Sequence, residues 1–386
     1  TVERTQRGLL ESRSGRAGTD HTATIMGAAT TITTDQGLLR GLRDGDMDCW
    51  RGVPFAAPPV GRRRWRPPEA ADGWNGTRDA TAFLAFAGGT SPDFGPATAR
   101  AAFLVAPDGF TLAEQSAQDN RYMADAAAFD AARASAQHRD LHRAFASVLP
   151  TVCFAGNPDT PDALFPNNVF ATGRPDAAAQ PHGAPRYVVG RMRHEVRQRE
   201  ANRPDIRGFF GTMGYEEIDL SRQPHPAELT GALVIDRARG LGFAGLSERC
   251  DAEGARLMHE ALGLRATLLF DLAEGEYHTN VVLAVLAGRA AVICPKGFAD
   301  PAAVDAIAAL YAPHAVLCTP EEHAAFVGNC IALTPDKVWM SASAGRALTP
   351  AHRAQLAAAG FEVGTVELDA IEAGGGSLRC CVGEIF

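Results

Sequence analysis

A cysteine pair near the end of the chain is the strongest candidate for chemistry. Glycines occupy residues 374–376, Ser377 and Arg379 follow, and the next two residues are Cys380 and Cys381. Consecutive glycines let the backbone approach a ligand closely, and a nearby positive charge lowers the pKa of a thiol and makes it a stronger nucleophile. Arg379 beside Cys380 fits that requirement, whereas a buried structural cysteine after a glycine turn is the alternative.

Two further polar residues each stand directly before an apolar run that predicts a strand. His278 precedes the run 281–286, and Glu228 precedes the run 232–236. A histidine at such a position can transfer protons near neutral pH, and a carboxylate there can pair with a guanidinium group. The alternatives are a core or surface histidine and a solvated acid in a turn.

A turn and two arginine-containing stretches add candidates for substrate binding. Asn168 and Phe170 belong to a Phe-Pro-Asn-Asn-Val-Phe turn, where asparagine either binds substrate or satisfies local backbone groups. Arg249 in Ser-Glu-Arg either binds a substrate carboxylate or follows a helix cap with an acidic first turn. The Arg-rich stretch 186–207 could form an entrance for an acidic group, although a solvated helix face is the simpler explanation.

The elements that must position these residues alternate between strands and helices. A short apolar strand at 101–106 is followed by an Ala-rich helical pattern over 119–146 and a strand at 150–155. Further strands are predicted at 232–236, 267–270, 281–286, 290–294, 315–318, 337–340, 361–366 and 382–386, and helices at 301–311 and 350–359. The alternation predicts an α/β domain, and no Gly-x-Gly-x-x-Gly motif follows the first strand to indicate a dinucleotide fold.

The composition excludes several classes of partner. The 386 residues are 46% apolar and 21% charged, and the formal net charge is −8. This charge argues against nucleic acid and anionic membranes as partners, and no apolar run approaches the roughly 20 residues that span a bilayer. Residues 1–34 show no secretory signal and are predicted to form a disordered leader. Eight cysteines without a CxxC spacing predict a reduced, cytoplasmic protein without a structural zinc.

The order of the motifs resembles that of a known superfamily. Along the chain come Phe-Pro-Asn-Asn-x-Phe, Glu-x-Thr-Gly-Ala-Leu-Val-Ile-Asp, Ser-x-Arg, Tyr-His-Thr-Asn-Val and Gly-Gly-Gly-Ser-x-Arg-Cys. This series resembles the arginine deiminase-related branch of the amidinotransferase superfamily, with the citrulline-utilisation hydrolases nearest, over about residues 101–386. The resemblance implies the pentein fold, a pseudo-fivefold ring of α/β units with the active site at its centre.

The resemblance also implies roles for individual residues. Cys380 matches the nucleophile, and Cys381 ranks second because the family has Met there. His278 matches the catalytic histidine, and Glu228 matches the carboxylate that holds the guanidinium. The substrate-binding residues are expected to be Asn168, Phe170, Arg249, Asn280 and Arg379.

The chemistry that the resemblance implies suits these residue types. A guanidinium carbon is a poor electrophile, so a carboxylate must fix its orientation and a thiolate of low pKa must attack it. We expect attack by Cys380, loss of ammonia or an amine protonated by His278, and a covalent thiouronium intermediate. Water activated by His278 then releases a ureido product such as citrulline, with no metal or organic cofactor.

Three positions depart from the pattern of the arginine deiminases. Their Asp after the Pro-Asn turn falls here on Gly173, with Asp176 a few residues away. Their Asp after the catalytic His is Asn280, and the Arg that opens their Cys motif is Gly375. The sequence therefore leaves the second guanidinium carboxylate unidentified and the substrate open.

Residues 35–87 carry a second resemblance. Residues 36–45 predict a hairpin with glycine turns, and Trp-Arg-Gly-Val-Pro-Phe-Ala-Ala-Pro-Pro at 50–59 is similar to the N-terminal segment of type B carboxylesterases. The Gly-x-Ser-x-Gly elbow of an esterase nucleophile occurs nowhere in the chain. We therefore predict a leader at 1–34, a non-catalytic esterase-like fragment and linker at 35–95, and a pentein-type amidinohydrolase domain at 96–386.

The leading prediction is a cysteine-dependent hydrolase whose small guanidino substrate is arginine or a derivative. An amidinotransferase would use the same Cys380 and His278 but pass the amidino group to an amine. A non-catalytic remnant or binding protein is the alternative from another class, and an esterase is the least favoured.

Overall fold

The computed structural model describes residues 29–44, 47–50, 73, 75, 77–79, 90–112, 114–123 and 129–386. The chain divides into two compact units, Thr1–Phe55 with Ala70–Phe83 and Ala56–Glu69 with Leu84–Phe386. Every candidate residue for chemistry lies in the second unit.

A small sheet forms the described part of the first unit. Its strands are β1 (Ala29–Thr34), β2 (Gly37–Asp44), β3 (Met47–Cys49) and β4 (Thr77–Asp79). β2 is antiparallel to β1 and β3 and parallel to β4.

Two predictions for this unit need correction. The hairpin turn lies at residues 35–36, ahead of the predicted stretch, and the Thr34 hydroxyl stabilises it by donating to the Gly37 carbonyl at 2.8 Å. The predicted leader ends too late, because Ala29–Thr34 is a strand rich in β-branched Thr and Ile, which favour extended backbone. Residues 1–28 and most of the esterase-like motif lie outside the described residues.

Five three-stranded sheets with one common plan make up the second unit. In each sheet the first strand is antiparallel to the second, and the third is parallel to the second. In this order of first, second and third strand the sheets are β19–β5–β6, β7–β8–β9, β10–β11–β12, β13–β14–β15 and β16–β17–β18. The strands are β5 (Ala101–Val105), β6 (Thr151–Phe154), β7 (Phe170–Gly173), β8 (Arg186–Val189), β9 (Glu216–Asp219), β10 (Leu233–Asp236), β11 (Leu241–Leu246), β12 (Ala266–Asp271), β13 (Leu283–Leu286), β14 (Ala290–Ile293), β15 (Ala315–Leu317), β16 (Ile331–Thr334), β17 (Lys337–Ser341), β18 (Glu362–Val366) and β19 (Gly383–Ile385).

Helices connect the second strand of each sheet to its parallel third strand, as parallel pairing requires. In chain order these crossovers are Ala131–Ala146, Glu195–Gln198 with Pro204–Thr212, Ala252–Leu262, Pro301–Leu310, and Ala342–Ala347 with Pro350–Ala358. Shorter helices are Glu114–Ala117, Leu229–Ala232, Thr279–Val282, Pro320–Ala324 and Asp369–Glu372.

The last strand closes the arrangement. β19 pairs with β5, with Gly383 opposite Phe103 and Ile385 opposite Ala101, so the two ends of this unit share one sheet. The first strands of neighbouring sheets contact one another, as β19 does β7 and β13 does β10 and β16. This is the α/β pentein fold that the sequence predicts.

The predicted helix over 119–146 is wrong in its first part. The helix spans Ala131–Ala146 and begins where the Asp130 side chain accepts the backbone N–H of Arg133. Asp119 and Asn120 are not helical, because their side chains are used in polar contacts with distant parts of the chain.

Apolar packing fixes the turn that carries the cysteine pair. Leu378, Cys381 and Val382 are fully buried in one cluster with Leu141 and Phe145 of the first crossover helix. The candidate nucleophile is thus held by a packed core rather than by a free loop. In the described part of the chain no helix is long and apolar enough to cross a membrane.

Candidate active site

A short turn precedes the first strand in four of the five sheets. The 3₁₀ turns Pro166–Asn168 and Leu378–Cys381 precede β7 and β19, and the helical turns Leu229–Ala232 and Thr279–Val282 precede β10 and β13. In the remaining sheet the loop at residues 326–330 takes this place before β16. The turn Pro166–Asn168 contacts both Leu229–Ala232 and Leu378–Cys381.

The repeated plan explains why residues distant in sequence meet. Glu228, His278, Asn329 and Cys380 follow one another at intervals of 50, 51 and 51 residues. Each occupies the same place in its own unit, just before the first strand. Equivalent positions in successive units therefore converge on one site.

Cys380 lies in a buried and largely neutral environment. Asn329 Nδ2 approaches the Cys380 Sγ at 3.3 Å and Asn280 Nδ2 at 3.7 Å. Burial raises the pKa of the Cys380 thiol above its ordinary value, and the amide of Asn329 and the charge of Arg379 offset this only in part. Without a bound cation Cys380 is therefore a neutral thiol, not the thiolate of low pKa that Arg379 was expected to produce.

Asn329 connects three parts of this environment. Its Nδ2 also donates to the Asn280 carbonyl at 2.8 Å, and its Oδ1 accepts the Arg379 backbone N–H at 3.0 Å. The side chain therefore fixes the backbone on both sides of the Cys380 thiol.

His278 is paired with Glu228 in a fully buried contact. His278 Nε2 lies 2.7 Å from Glu228 Oε2. This hydrogen bond assigns the proton to Nε2 and leaves Nδ1 as an acceptor. Nδ1 is buried without a hydrogen-bond partner among the described residues. Burial lowers the pKa of His278 despite the opposing charge of Glu228, so the imidazole is neutral near pH 7.

Gly231 allows the imidazole to lie beside the Asn168 turn. A Cβ at Gly231 would stand 2.4 Å from Asn168 Oδ1 and 3.0 Å from His278 Nδ1. Asn168 Oδ1 is also buried without a partner in the described ranges. Two unpaired polar atoms from different units are thus neighbours, and one of the two residues, Asn168, lines the pocket over Cys380.

Glu228 is fully buried and charged. Besides His278 it accepts Arg249 Nη1 at 3.3 Å and the Arg193 backbone N–H at 3.0 Å. Burial alone would raise the pKa of this carboxyl, but the charge of Arg249 and the hydrogen bond of His278 hold it well below its usual range. Glu228 therefore contacts the base directly, whereas the sequence predicted that it holds the guanidinium.

Arg249 reaches the pocket but is already paired. Its Nε lies 2.9 Å from Asp119 Oδ2, and its guanidinium stacks over the Tyr277 ring at 5.5 Å. Asp119 also contacts His194 Nε2 at 3.1 Å. A substrate carboxylate would compete with Asp119 for the same cation.

A narrow pocket lies over Cys380. Its walls are formed by Ser116, Asn120, Asp162, Phe165, Asn168, Arg197, Arg249, Tyr277 and residues 374–376. Its free volume is about 20 Å³, which is room for about one water molecule. A guanidino substrate therefore requires the pocket to widen.

Residues 114–123, the covering segment, form one wall through polar contacts. Asp119 binds Arg249, and Asn120 Nδ2 donates to the Gly375 carbonyl at 3.2 Å. Gly375 has a positive φ of 79°, and a Cβ there would stand 2.3 Å from Asn120 Nδ2, so glycine is required for this approach. Movement of the covering segment would open the pocket without breaking the apolar core.

Two predicted residues do not reach the pocket. Phe170 is buried and stacks on Tyr187 with ring centroids 5.8 Å apart. The Arg379 guanidinium turns away and binds Glu384 at 3.0 Å and the Val382 carbonyl at 2.9 Å.

Sequence reasoning missed a carboxylate and an amide. Asp162 is buried in the pocket wall and accepts the Ser116 hydroxyl at 2.5 Å, whereas the position sought earlier, Asp176, pairs with Arg265. Asp162 stands six residues before Asn168 and had no motif of its own. Asn329 was detectable from the repeat, because it falls midway between His278 and Cys380.

Within the ranges that the structure describes, no group of three His, Cys, Asp or Glu side chains is arranged to hold a metal ion.

A ring of five α/β units with Cys380 and a His278–Glu228 pair at its centre defines a class. It is that of the pentein enzymes, the cysteine-dependent hydrolases that act on C–N bonds of guanidino compounds. Residues 106–386 match the family model for N,N dimethylarginine dimethylhydrolase, eukaryotic. The chain belongs to this family, and its resemblance to the deiminase-related branch is confirmed.

Solved structures with this fold include an N-terminal domain of ArgZ, an arginine dihydrolase from cyanobacteria, bound to substrate. It is 20% identical, with a TM-score of 0.63, and the match covers 74% of this chain and 97% of that domain. A dimethylarginine dimethylaminohydrolase with an S-methyl-L-thiocitrulline adduct is 19% identical, with a TM-score of 0.54 over 74% of this chain and 100% of that chain.

The first unit matches a different family. Residues 28–86 match the carboxylesterase family model. Fumonisin B1 esterase of Sphingopyxis macrogoltabida is 50% identical over 50 residues, which are 13% of this chain and 9% of the esterase. Human (Homo sapiens) neuroligin-3 is 43% identical over 68 residues, 16% of this chain and 8% of neuroligin-3. The chain thus spans about a tenth of the length of these curated relatives.

Proposed function

We propose that this protein hydrolyses the guanidino group of arginine or an N-methylated arginine, with Cys380 as nucleophile. One observation carries the proposal: the buried Cys380 thiol and the buried Asp162 carboxylate line one pocket, beside a neutral His278 backed by Glu228. Asp162 supplies the carboxylate that fixes a guanidinium, which the sequence left unidentified.

The proposed first half-reaction forms a covalent intermediate. The Cys380 sulfur bonds to the guanidinium carbon, and the thiol proton passes to His278 Nδ1. The tetrahedral adduct collapses as one C–N bond breaks, and His278 returns the proton to the departing nitrogen. The leaving group is ammonia or an amine, and a thiouronium remains on Cys380.

The second half-reaction restores the enzyme. His278 Nδ1 takes a proton from water, whose oxygen bonds to the same carbon. The C–S bond then breaks, the proton returns to sulfur, and the ureido product leaves. Glu228 stabilises the imidazolium that forms in both halves, because its low pKa keeps it charged.

The cationic substrate supplies the charge that Cys380 lacks. A guanidinium beside a thiol favours the thiolate, because opposite charges at close range stabilise the charged form. The raised pKa of Cys380 in the free enzyme supports this proposal. It also protects a free thiol from oxidation between turnovers, which supports our proposal of a reducing, cytoplasmic compartment.

Family membership and the neighbouring structures support arginine or a dimethylated arginine as substrate. The narrow pocket favours water over a second amine as acceptor, and this supports a hydrolase over an amidinotransferase.

The test is a colorimetric assay for ureido groups with arginine, Nω,Nω-dimethylarginine and agmatine, beside Cys380→Ala. We expect citrulline, with ammonia or dimethylamine in equal amount, and no product from the variant. A guanidino-transfer product with glycine as acceptor, and no citrulline without it, would replace the hydrolase by an amidinotransferase.

A further inference from the structure

An open cleft distinct from the pocket over Cys380 lies beside the second crossover of the ring. It has a volume of about 530 Å³ and is lined by residues 190–192 and residues of the turns at 195–202 and 221–222. Sites for small-molecule ligands commonly have volumes of about 300–1,000 Å³. The cleft is therefore large enough for a metabolite, whereas the pocket over Cys380 holds about 20 Å³.

Three guanidinium groups line this cleft, those of Arg191, Arg199 and Arg222. Arg199 and Arg222 are exposed, and neither forms an ion pair with a residue that the structure describes. Arg191 donates Nη1 to the Ser221 carbonyl at 2.9 Å, and a carbonyl leaves its charge uncompensated. One carboxylate, that of Glu195, shares the cleft, so its net charge is about two positive units.

This unpaired charge is unusual within its own stretch. Arg193, Arg197, Arg203 and Arg207 are each bound to carboxylates. The chain as a whole carries a formal charge of −8. A solvated helix face does not explain the cleft, because its cations converge on a concave surface while their neighbours are neutralised.

We propose that this cleft binds a small molecule that carries a phosphate monoester. A phosphate monoester has a charge of about −1.5 to −2 at pH 7, which matches the charge of the cleft. Guanidinium groups bind phosphate oxygens through two parallel N–H donors. The volume left beside the three cations accommodates a polar body of about the size of a pentose.

The floor of the cleft favours a polar body over an apolar one. Gln198 Nε2 donates to the carbonyls of Met192 and Arg193 at 3.0 and 3.2 Å, which holds the backbone of one wall. Asn202 is exposed at the rim and offers an amide to hydroxyl groups.

The test is isothermal titration of the full chain with ribose 5-phosphate, ribose, inorganic phosphate and citrate at physiological salt. We expect saturable binding of ribose 5-phosphate, none of ribose, and at least roughly tenfold weaker binding of inorganic phosphate and citrate. Arg199→Ala and Arg222→Ala should each weaken ribose 5-phosphate at least roughly tenfold.

Arg139→Ala is the matched control, because Arg139 is also exposed on a helix but lies outside the cleft. It should bind ribose 5-phosphate as the parent chain does. Citrate binding as tight as that of ribose 5-phosphate, equal binding of inorganic phosphate, or equal losses in Arg139→Ala and Arg222→Ala would each overturn the proposal. Because heat of binding is the readout, the outcome does not depend on the activity at Cys380.

Discussion

The two halves of the active site are built from opposite materials. The base half is charged: His278 and Arg249 both contact Glu228, and Asp119 completes the chain of ion pairs. The nucleophile half is neutral, since two asparagine amides surround the Cys380 thiol. Charge is therefore spent on holding the base, and the nucleophile is left to be activated by what it binds.

This division has an electrostatic consequence. Glu228 stays ionised in a buried position because Arg249 and His278 compensate it. Cys380 has no such partner, and burial raises its pKa. A thiol of this kind discriminates in favour of cationic substrates, because only a cation in the pocket makes it a nucleophile.

The largest effect should come from removing the nucleophile. Cys380→Ala should lower kcat by on the order of 10⁴-fold or more, because the covalent route is lost. Cys381→Ala is the control, since Cys381 is buried in the apolar core and its sulfur donates to the Ser377 carbonyl. Steady-state kinetics measures both; equal losses would mean that the assignment of Cys380 is mistaken.

The next effect should come from neutralising the charged half. Glu228→Gln keeps the shape but removes the charge that stabilises the imidazolium, so we expect kcat to fall roughly 10²- to 10³-fold. The KM should change little, because Glu228 contacts His278 rather than the pocket. A large rise in KM with kcat retained would instead mean that Glu228 holds the substrate, as the sequence alone predicts.

The pH dependence should reveal the neutral half. Thiolate is the reactive form and the pKa of Cys380 is raised, so kcat/KM should increase about tenfold per pH unit up to that pKa. Below the pKa of His278, which burial holds under its ordinary value, protonation of the base should steepen the slope. Asn329→Asp places a carboxylate beside the sulfur, should raise the thiol pKa and move this limb to higher pH. Asn329→Ala should move the limb less, and a limb that stays fixed in both variants would argue against control by Asn329.

The smallest effect should come from the link between the halves and the covering segment. Asp119→Asn removes the charge that pairs with Arg249, so the segment over the pocket should be held less firmly. We expect KM to rise roughly threefold to tenfold with little change in the pH profile. Asp130→Asn is a matched control away from the pocket, at the cap of the helix Ala131–Ala146. A shift of the pH limb in Asp119→Asn would mean that Asp119 acts on the thiol itself.

Local sequence signals predicted much of the fold. The strands and crossover helices from β10 onward were predictable because apolar runs alternate with helical periods. The false helix at residues 119–130 arose because Ala-rich composition favours a helix, whereas the structure uses Asp119 and Asn120 in tertiary contacts.

The candidate site was predictable only where a motif marked it. Cys380, His278 and Glu228 stand at the mouths of apolar strands, and their types suggest chemistry. Asp162 reaches the pocket through packing, and the orientation of Arg379 depends on Glu384, which no local pattern encodes.

The most direct test of the account is to trap the intermediate. Enzyme turning over Nω,Nω-dimethylarginine is quenched with acid within milliseconds, digested and examined by mass spectrometry. The account predicts a thiouronium adduct on the peptide that carries Cys380, fragmented to that residue and absent from Cys380→Ala. Turnover without an adduct, or an adduct on Cys381, would contradict it.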